Sequence, residues 1–206
     1  LFGGAGADTL TGGIGLDWAD YSDGSGGVNV NLATGFGFFN DAAGDRLATI
    51  ENLRGTKRAD ILTGDANNNV IDPYLSLSLI DGLRDDVDGG GSGDVDILIV
   101  NYSIDDFGQG LTGGYDTGSN SQGTFTRLTG NGAQILDQVG FRNIEQLTVL
   151  GTIKGDTVYG GRGNDYIATN GGDDLIYAGT GGDVVLAGRG NDTVYVNSDS
   201  FRQLSF

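Results

Sequence analysis

The stretch from Gly151 to Tyr195 reads GTIKGDTVY, GGRGNDYIA, TNGGDDLIY, AGTGGDVVL and AGRGNDTVY, five nonapeptides in unbroken register. Each copy has an aspartate at its sixth place, and these are Asp156, Asp165, Asp174, Asp183 and Asp192. Each also has an aliphatic residue two places later, and these are Val158, Ile167, Ile176, Val185 and Val194. A fixed period of nine residues predicts one small structural unit that is repeated along a solenoid.

The composition narrows the chemistry of the chain to oxygen ligands and glycine backbone. Of the 206 residues, 40 are glycine, and 28 acidic residues outnumber 11 basic ones to give a net charge of -17. Cysteine and histidine are absent, which excludes disulfides, thiolate or imidazole zinc sites and a serine-histidine couple. The acidic charge argues against nucleic acid as a partner. The sequence contains no run of about 18 apolar residues, so it does not predict a membrane-spanning helix. Cations are the partners that this composition favours.

Within one nonapeptide, glycines at the first, second and fourth places favour a tight turn with uncovered carbonyl oxygens. The last three residues are extended and bury one aliphatic side chain. Because two copies complete one coil, stacked coils build two parallel sheets with a thin aliphatic layer between them. Aspartates two copies apart then stack on the same edge, Asp156, Asp174 and Asp192 on one edge and Asp165 and Asp183 on the other.

These columns of carboxylates explain the need for a cation. Carboxylates spaced by roughly the 4.8 Å between strands repel each other unless a positive charge lies between them. The available ligands are carboxylate and carbonyl oxygens on flexible turns. Such a ligand set favours calcium over magnesium, which demands a stricter octahedral geometry, and over metals that prefer nitrogen or sulfur.

The pattern Gly-Gly-x-Gly-x-Asp-x-aliphatic-x resembles the calcium-binding nonapeptide of the repeat-in-toxin (RTX) family, the hemolysin-type repeat. The resemblance implies an all-β fold, a calcium-loaded right-handed parallel β-roll (a β-solenoid) with two β-hairpin or loop excursions. It also implies that several Ca2+ ions lie between adjacent coils, held by turn residues and sixth-place side chains. The candidate calcium ligands are Asp8, Asp17, Asp60, Asn69, Asp96, Asp156, Asp165, Asp174, Asp183 and Asp192, together with the turn residues Gly160, Gly161, Gly163, Asn164, Gly172, Asp173, Gly181, Gly190 and Asn191.

The repeats are interrupted twice, which divides the chain into segments. In chain order these are repeats at 1–20, an excursion at 21–54, repeats at 55–100 that are degenerate at 73–90, an excursion with a hairpin at 101–150, the five intact repeats at 151–195, and a cap or a link to a missing segment at 196–206. Leu1 and Phe2 fit the last two places of a nonapeptide, so we expect the chain to be part of a longer protein.

The two excursions resemble each other. Each begins at a Tyr-Ser pair, with Tyr21 or Tyr102, and returns through an Ile-Glu-x-Leu element at 50–53 or 144–147. This similarity predicts a larger internal duplication, in the order repeats, excursion, repeats, excursion, repeats. Across the first excursion, the nine-residue period predicts that Asp8 stacks over Asp60 and Asp17 over Asn69, which stands where an aspartate is expected.

Local patterns predict some structure inside the excursions. Alternating apolar and polar residues at 28–32 predict a strand. Residues 103–122 are rich in glycine, serine and asparagine and are expected to be irregular. Asn131 and Gly132 lie between two strand-like runs, at 125–128 and 134–136, and therefore predict a β-hairpin.

Two groups of side chains have alternative interpretations. Glu51 and Glu145 could be calcium ligands, but a structural role at the returning strand is favoured. The ninth-place tyrosines Tyr159, Tyr177 and Tyr195 could stack on sugars, but surface aromatics that favour strand geometry are the preferred interpretation.

The function predicted from these features is that of a non-enzymatic, calcium-binding structural module of a secreted bacterial protein. The resemblance implies type I secretion, with folding on calcium binding outside the cell or at the cell surface. An alternative is an adhesin or surface-layer segment that binds polysaccharide or associates end to end with itself. A less favoured alternative is part of a secreted polysaccharide-active or hydrolytic enzyme, which would have to use the spare carboxylates Asp105, Asp106, Asp116, Asp137 and Glu145.

Overall fold

A computed structural model describes residues 1–75, 84–91, 93–103, 108–116, 121–132 and 134–196, and the backbone of 202–205. Part of the degenerate stretch at 73–90 and the spare carboxylates Asp105 and Asp106 lie outside these residues. In the described part, regular structure consists of β-strands and one short 3-10 turn at Asn40–Ala42. No helix among these residues is long and apolar enough to cross a membrane.

Most strands are only three residues long, as expected for a nonapeptide that gives six residues to a turn. In chain order the strands are β1 (Thr9–Thr11), β2 (Trp18–Asp20), β3 (Asn29–Asn31), β4 (Phe36–Phe38), β5 (Arg46–Ala48), β6 (Asn52–Arg54), β7 (Ile61–Thr63), β8 (Val70–Asp72), β9 (Arg84–Asp88), β10 (Ile97–Asn101), β11 (Thr112–Tyr115), β12 (Gln122–Leu128), β13 (Ile135–Arg142), β14 (Gln146–Leu150), β15 (Thr157–Tyr159), β16 (Tyr166–Ala168), β17 (Leu175–Gly179), β18 (Val184–Leu186), β19 (Thr193–Val196) and β20 (Arg202–Ser205).

The strands form two sheets that face each other across the core, one of 13 strands and one of 7. In the repeats, consecutive strands alternate between the sheets and pair in parallel with the strand two positions on, as β15 does with β17 and β17 with β19. In most three-residue strands the middle residue points inward, and Val158 and Ile167 are fully buried, as is Ile176 in the longer strand β17. The predicted all-β parallel roll is confirmed.

Each excursion is wound into the larger sheet as a three-stranded antiparallel meander. The strand order is β1-β5-β4-β3-β7 for the first and β9-β13-β12-β11-β15 for the second. The last strand of each meander therefore stacks on the preceding coil, and its first strand stacks on the following coil. Both meanders have the same topology and leave and return to the smaller sheet at equivalent places.

The second meander is more regular than its composition predicts. The hairpin of β12 and β13 is confirmed, with Gly132 in its turn at a φ of 70°. Residues 103–122 are not wholly irregular, however, because β11 at Thr112–Tyr115 pairs on both sides, with β12 and with β15. Gly113 and Gly114 lie within this strand, and pairing with two neighbours outweighs their low intrinsic preference for β structure.

The core changes composition along the molecule. In the repeats it consists of one aliphatic residue per strand. In and around the second meander it contains Tyr102, Tyr115, Phe125 and Phe141, all buried. The Phe141 ring packs edge-on to Tyr115 at 5.3 Å and against Phe125 at 6.0 Å between ring centroids. The middle of the molecule therefore has a larger apolar core than the coils at its end.

Candidate metal centre

Two rows of acidic side chains follow the edges of the roll, where chain turns enter each sheet. In the repeats, the backbone N–H of Asp156 donates to Asp174 Oδ1 at 2.8 Å, and the N–H of Asp174 donates to Asp192 Oδ1 at 3.0 Å. On the opposite edge, the N–H of Asp165 donates to Asp183 Oδ1 at 3.1 Å. The two predicted columns of aspartates are therefore present, and each carboxylate uses one oxygen to tie down the neighbouring coil.

The columns in the first part of the chain differ from the expected stacking. The N–H of Asp8 donates to Asp45 Oδ1 at 2.8 Å, so the prediction that Asp8 stacks over Asp60 is wrong. The reason is that β5, the last strand of the first meander, inserts beside β1. Asp60 instead donates its N–H to Asp85 Oδ1 at 2.8 Å.

Asp45 and Asp85 are row members that the sequence reasoning missed. Both lack the glycine-rich turn, but each is followed two places later by a buried aliphatic residue, Leu47 or Val87. An aspartate followed two places later by an aliphatic residue is the sequence pattern from which both could have been predicted.

Glu51 and Glu145 occupy equivalent places in the row of the smaller sheet. Glu51 Oε2 accepts the N–H of Asp17 at 2.9 Å, and Glu145 Oε2 accepts the N–H of Asp96 at 3.1 Å. Asp17 therefore stacks over Glu51 and not directly over Asn69, because β6 pairs with β2. Each glutamate accepts a backbone N–H as the row aspartates do, and the structural role favoured for these two residues stays a prediction.

Asn69 uses both ends of its amide, one within its own turn and the other on the neighbouring coil. Its Oδ1 accepts the N–H of Asp65 at 2.7 Å, and its Nδ2 donates to the carbonyl of Glu51 at 2.7 Å. Its backbone N–H donates to Asp96 Oδ1 at 2.8 Å. The row thus continues through an amide where Asn69 replaces an aspartate.

The first aspartate after each excursion is held by a threonine. Thr56 donates its N–H to Asp60 Oδ2 at 2.6 Å and its hydroxyl to Asp60 Oδ1 at 3.0 Å. Thr152 makes the same two bonds to Asp156, each at 2.8 Å. The Gly-Thr turns that restart the repeats therefore satisfy their aspartates internally.

Other row aspartates keep one oxygen that is buried and has no partner in the described structure. These atoms are the Oδ2 atoms of Asp8, Asp17, Asp96, Asp165 and Asp174. A buried, unpaired carboxylate oxygen costs free energy, and a bound cation is the usual compensation. The donor set is hard oxygen throughout, which fits calcium. Within the described residues no three acidic side chains converge on one point, so a cation bound here would need carbonyl oxygens of the turns as further ligands.

Burial raises the pKa of several row carboxylates. Burial raises the pKa of Asp165 to about 7, against hydrogen bonding by the Leu147 N–H, which lowers it. Burial likewise raises the pKa of Asp174 to about 7 and that of Asp96 to about 7. For Asp183 and Asp156, burial also raises the pKa. Without a cation, the roll therefore favours protonated over ionised carboxylates.

The turn residues hold the coils at close distance. Asn164 Oδ1 accepts the N–H of Gly182 at 2.7 Å, and Asp173 Oδ1 accepts the N–H of Asn191 at 2.8 Å. Gly181 has a φ of 141°, and a Cβ there would collide with the carbonyl oxygen of Gly163 in the next coil. The other glycines predicted to line the sites make similarly close approaches to neighbouring coils or ring atoms, and these are Gly160, Gly161, Gly172 and Gly190.

The ninth-place tyrosines form a stacked column on the outer face of the larger sheet. Tyr159 and Tyr177 have ring centroids 5.0 Å apart and planes 9° apart, and Tyr177 and Tyr195 are 4.8 Å and 8° apart. Their ring faces contact one another, which is the arrangement of cross-strand aromatic pairs in a sheet.

A parallel roll with oxygen-lined acidic rows on both edges is a calcium-binding β-roll. The sequence matches the RTX calcium-binding nonapeptide repeat in four places, at residues 1–28, 48–73, 150–185 and 177–200, which together span just over half of the chain. The chain therefore belongs to this family, and it is a calcium-binding module of a secreted bacterial protein that takes up several calcium ions. The unmatched residues between 73 and 150 include the whole second meander. No curated protein matches the chain.

Proposed function

We propose that this module folds when calcium fills its acidic rows outside the cell. The observation that carries the proposal is the set of five row aspartates, each with a buried Oδ2 that has no partner in the described structure. Bound calcium would supply the positive charge that neutralises adjacent carboxylates in each row. At the low calcium concentration of a cytosol the rows repel, and at the millimolar concentration of an extracellular medium they are filled.

The energy balance of one nonapeptide supports this coupling. Burying its single aliphatic side chain contributes far less free energy than the conformational entropy that is lost when nine residues are ordered. Parallel strands of three residues add few hydrogen bonds, so the repeats depend on the ion for their stability.

The structure refines which residues we propose as ligands. Asp8, Asp17, Asp96, Asp165 and Asp174 have the free oxygen that a calcium ion needs. Asp183 and Asp192 complete the columns at the last coil. These side chains bind the ion with one oxygen and hold the neighbouring backbone N–H with the other.

Three candidate ligands are better explained as anchors. Asp60 and Asp156 have both oxygens engaged by the threonine of a Gly-Thr turn, and Asn69 has both ends of its amide engaged. We propose that these positions keep the row continuous without binding calcium through their side chains.

We also propose that the module itself is not catalytic. Of the spare carboxylates in the described residues, Asp137 is buried in the β12–β13 hairpin and Glu145 belongs to an acidic row. Asp116 directly follows β11, is exposed and lies outside the acidic rows. These three do not form an open cleft with a pair of facing carboxylates. The polysaccharide alternative is not favoured either, since the stacked tyrosines use their ring faces on each other.

Circular dichroism of the chain titrated first with calcium and then with magnesium tests the proposal. We expect a cooperative coil-to-β transition with calcium and little response to the same concentration of magnesium, because the turns offer a flexible oxygen shell. Full β structure in the repeats that survives a chelator would contradict the proposal, as would an equal response to magnesium.

A further inference from the structure

Arg127 is the one basic side chain that is buried among the described residues, with only 1% of its surface exposed. It lies on β12, the middle strand of the second meander, and faces the core. An arginine retains its charge at all physiological pH values, and a buried one requires close negative partners. Its position within the acidic row identifies those partners.

The register of the larger sheet places Arg127 in the row itself. Arg127 is directly opposite Asp137 on β13. On its other side, β11 begins with Thr112 opposite Thr126, and continuing this register by one residue brings Leu111 opposite Arg127. The N–H of Leu111 donates to Asp156 Oδ1 at 2.6 Å. The row therefore runs Asp137, Arg127, Leu111, Asp156, so that an arginine stands where the rest of the row contains only acidic or neutral residues.

The surroundings of Arg127 are built for a cation. Its guanidinium carbon lies 5.0 Å from the centroid of the Tyr102 ring, a cation–π contact. Its Nη2 is 3.5 Å from the carbonyl oxygen of Gln109. Burial raises the pKa of Asp156 and that of Tyr102, and the positive charge of Arg127 opposes this rise at both groups.

We propose that Arg127 is a built-in counter-ion of the acidic row, so that the second meander and the strands beside it fold without calcium. This inference rests on the proposed calcium-coupled folding of the repeats. The second meander would then be a preformed platform, with Asp156 held by Thr152 at its boundary, on which the calcium-dependent coils of β15 to β19 stack. Its aromatic core and its long strands, of 7 and 8 residues in β12 and β13, make such independent folding feasible.

The first meander supplies an internal comparison. It has the same topology, and Gly37 lies opposite Val30 there as Phe125 lies opposite Gly113 in the second meander, so Gly37 matches Phe125. The place of Arg127, two residues further along the middle strand, is therefore taken by Phe39, which is exposed. Phe39 brings no charge. The Tyr21 hydroxyl donates to Asp45 Oδ2 at 2.9 Å but cannot neutralise it. The first meander should therefore depend on calcium although its strands are arranged in the same way.

Hydrogen exchange of the full chain, followed by mass spectrometry in calcium and in a chelator, tests the inference. In the chelator we expect amides of β12 and β13 to exchange at least about tenfold more slowly than amides of β3–β5 and β15–β19. In calcium all three regions should be protected. If β12 and β13 exchange in the chelator as fast as the repeats, the inference fails while the proposed function stands. If the repeats are protected in the chelator, the proposed function fails.

Substitution of the arginine separates its charge from its packing. Arg127→Met keeps the length of the side chain, removes the charge and should abolish the chelator-resistant protection of β12 and β13. Adding Asp137→Asn to Arg127→Met removes the opposing charge as well, and it should restore part of that protection. Arg142→Met is the matched control, since Arg142 lies on β13 with its side chain exposed and ion-paired to Asp88, and it should leave exchange unchanged.

Three results would overturn the inference. The first is an Arg127→Met chain as protected in the chelator as the unmodified chain. The second is a double variant no better protected than Arg127→Met, which would show that the arginine acts by packing alone. The third is an Arg142→Met chain that loses as much protection as Arg127→Met.

Discussion

The second meander shares the larger sheet with three strands of the five terminal repeats, β15, β17 and β19, yet the meander and the repeats are stabilised in different ways. The meander has strands of up to 8 residues, antiparallel pairing between sequence neighbours and a core of four buried aromatic rings. The repeats have strands of mostly three residues, parallel pairing between coils and one buried aliphatic side chain per strand. Apolar burial in the meander can offset the conformational entropy that is lost on folding, whereas the repeats require a bound ion.

The same contrast holds for the charges. In the repeats, Asp165 and Asp174 each carry a buried oxygen without a partner in the described structure. In the meander, Arg127 stands within the row opposite Asp137. A solenoid whose coils contact only their neighbours can combine such unlike sections, because each section is stabilised locally and the interfaces between sections transmit order.

Core truncations in the two regions should have the largest effect on stability and should depend differently on calcium. In calcium, Phe125→Ala is expected to lower the free energy of unfolding by about 3–5 kcal/mol and Ile176→Ala by about 2–5 kcal/mol, since both side chains are fully buried. In a chelator, only Phe125→Ala should still reduce the remaining β structure, because the repeats are already unfolded. Urea unfolding followed by circular dichroism measures both.

Val184→Ala is the control for these truncations, because Val184 lies in a repeat strand with 49% of its surface exposed. It should change the free energy of unfolding by less than about 0.5 kcal/mol. A loss of chelator-resistant structure in Ile176→Ala as large as that in Phe125→Ala would remove the distinction between the two regions.

Removing one row carboxylate should have an intermediate effect that is confined to the repeats. Asp174→Ala deletes the acceptor of the Asp156 N–H and a proposed calcium ligand between two coils. The loss of a charged hydrogen bond, about 1.5–3 kcal/mol, predicts a calcium midpoint for the repeats that is raised about tenfold or more. Calcium titrations monitored by hydrogen exchange would resolve the repeats from β12 and β13, which should not respond.

Asp116→Ala is the matched control for this substitution, since it removes an exposed carboxylate outside the rows. Its calcium midpoint should equal that of the unmodified chain. An Asp116→Ala midpoint shifted as far as that of Asp174→Ala would mean that general charge reduction, and not the row, sets calcium affinity.

The sequence predicts the repeats well because each nonapeptide contains its whole structural signal. The glycines, the aspartate and the aliphatic residue of one copy determine its turn, its strand and its place in a column, so the stacking of Asp156, Asp174 and Asp192 follows from the period alone. The meanders contain no such local signal. Which strand Asp45 or Asp85 stands beside depends on pairing between distant segments, and an antiparallel insertion changes the register of every later neighbour.

The nine-residue period also does not predict individual contacts within the site. The bonds of Thr56 and Thr152 to their aspartates require a turn geometry that a glycine count does not encode. The placement of Arg127 in the row requires the register of β11, β12 and β13, which includes a bulge between Arg127 and Leu128. The repeated element of a solenoid can be predicted from its sequence. The places that depart from the repeat depend on tertiary structure, and a sequence pattern does not predict them.

A change of pH should have the smallest effect, and it should again distinguish the two regions. In the calcium-free fold, burial raises the pKa of Asp165 and Asp174 from 3.8 to about 7, so folded repeats bind protons more tightly than unfolded ones. Their contribution is therefore most favourable below about pH 4 and is lost as the pH rises through 7. Burial raises the pKa of Asp85, beside the second meander, to about 9, so this carboxyl remains protonated at neutral pH.

Acidifying the chain in a chelator from about pH 8 to about pH 5 should therefore increase the β structure of the repeats while leaving that of β12 and β13 nearly constant. In calcium the sign reverses for the repeats, because protons compete with the ion for the same carboxylates. Hydrogen exchange corrected for the intrinsic effect of pH measures both trends. Repeats that lose protection on acidification without calcium would show that their carboxylates are not the groups that oppose folding, and the two regions would then differ in core size alone.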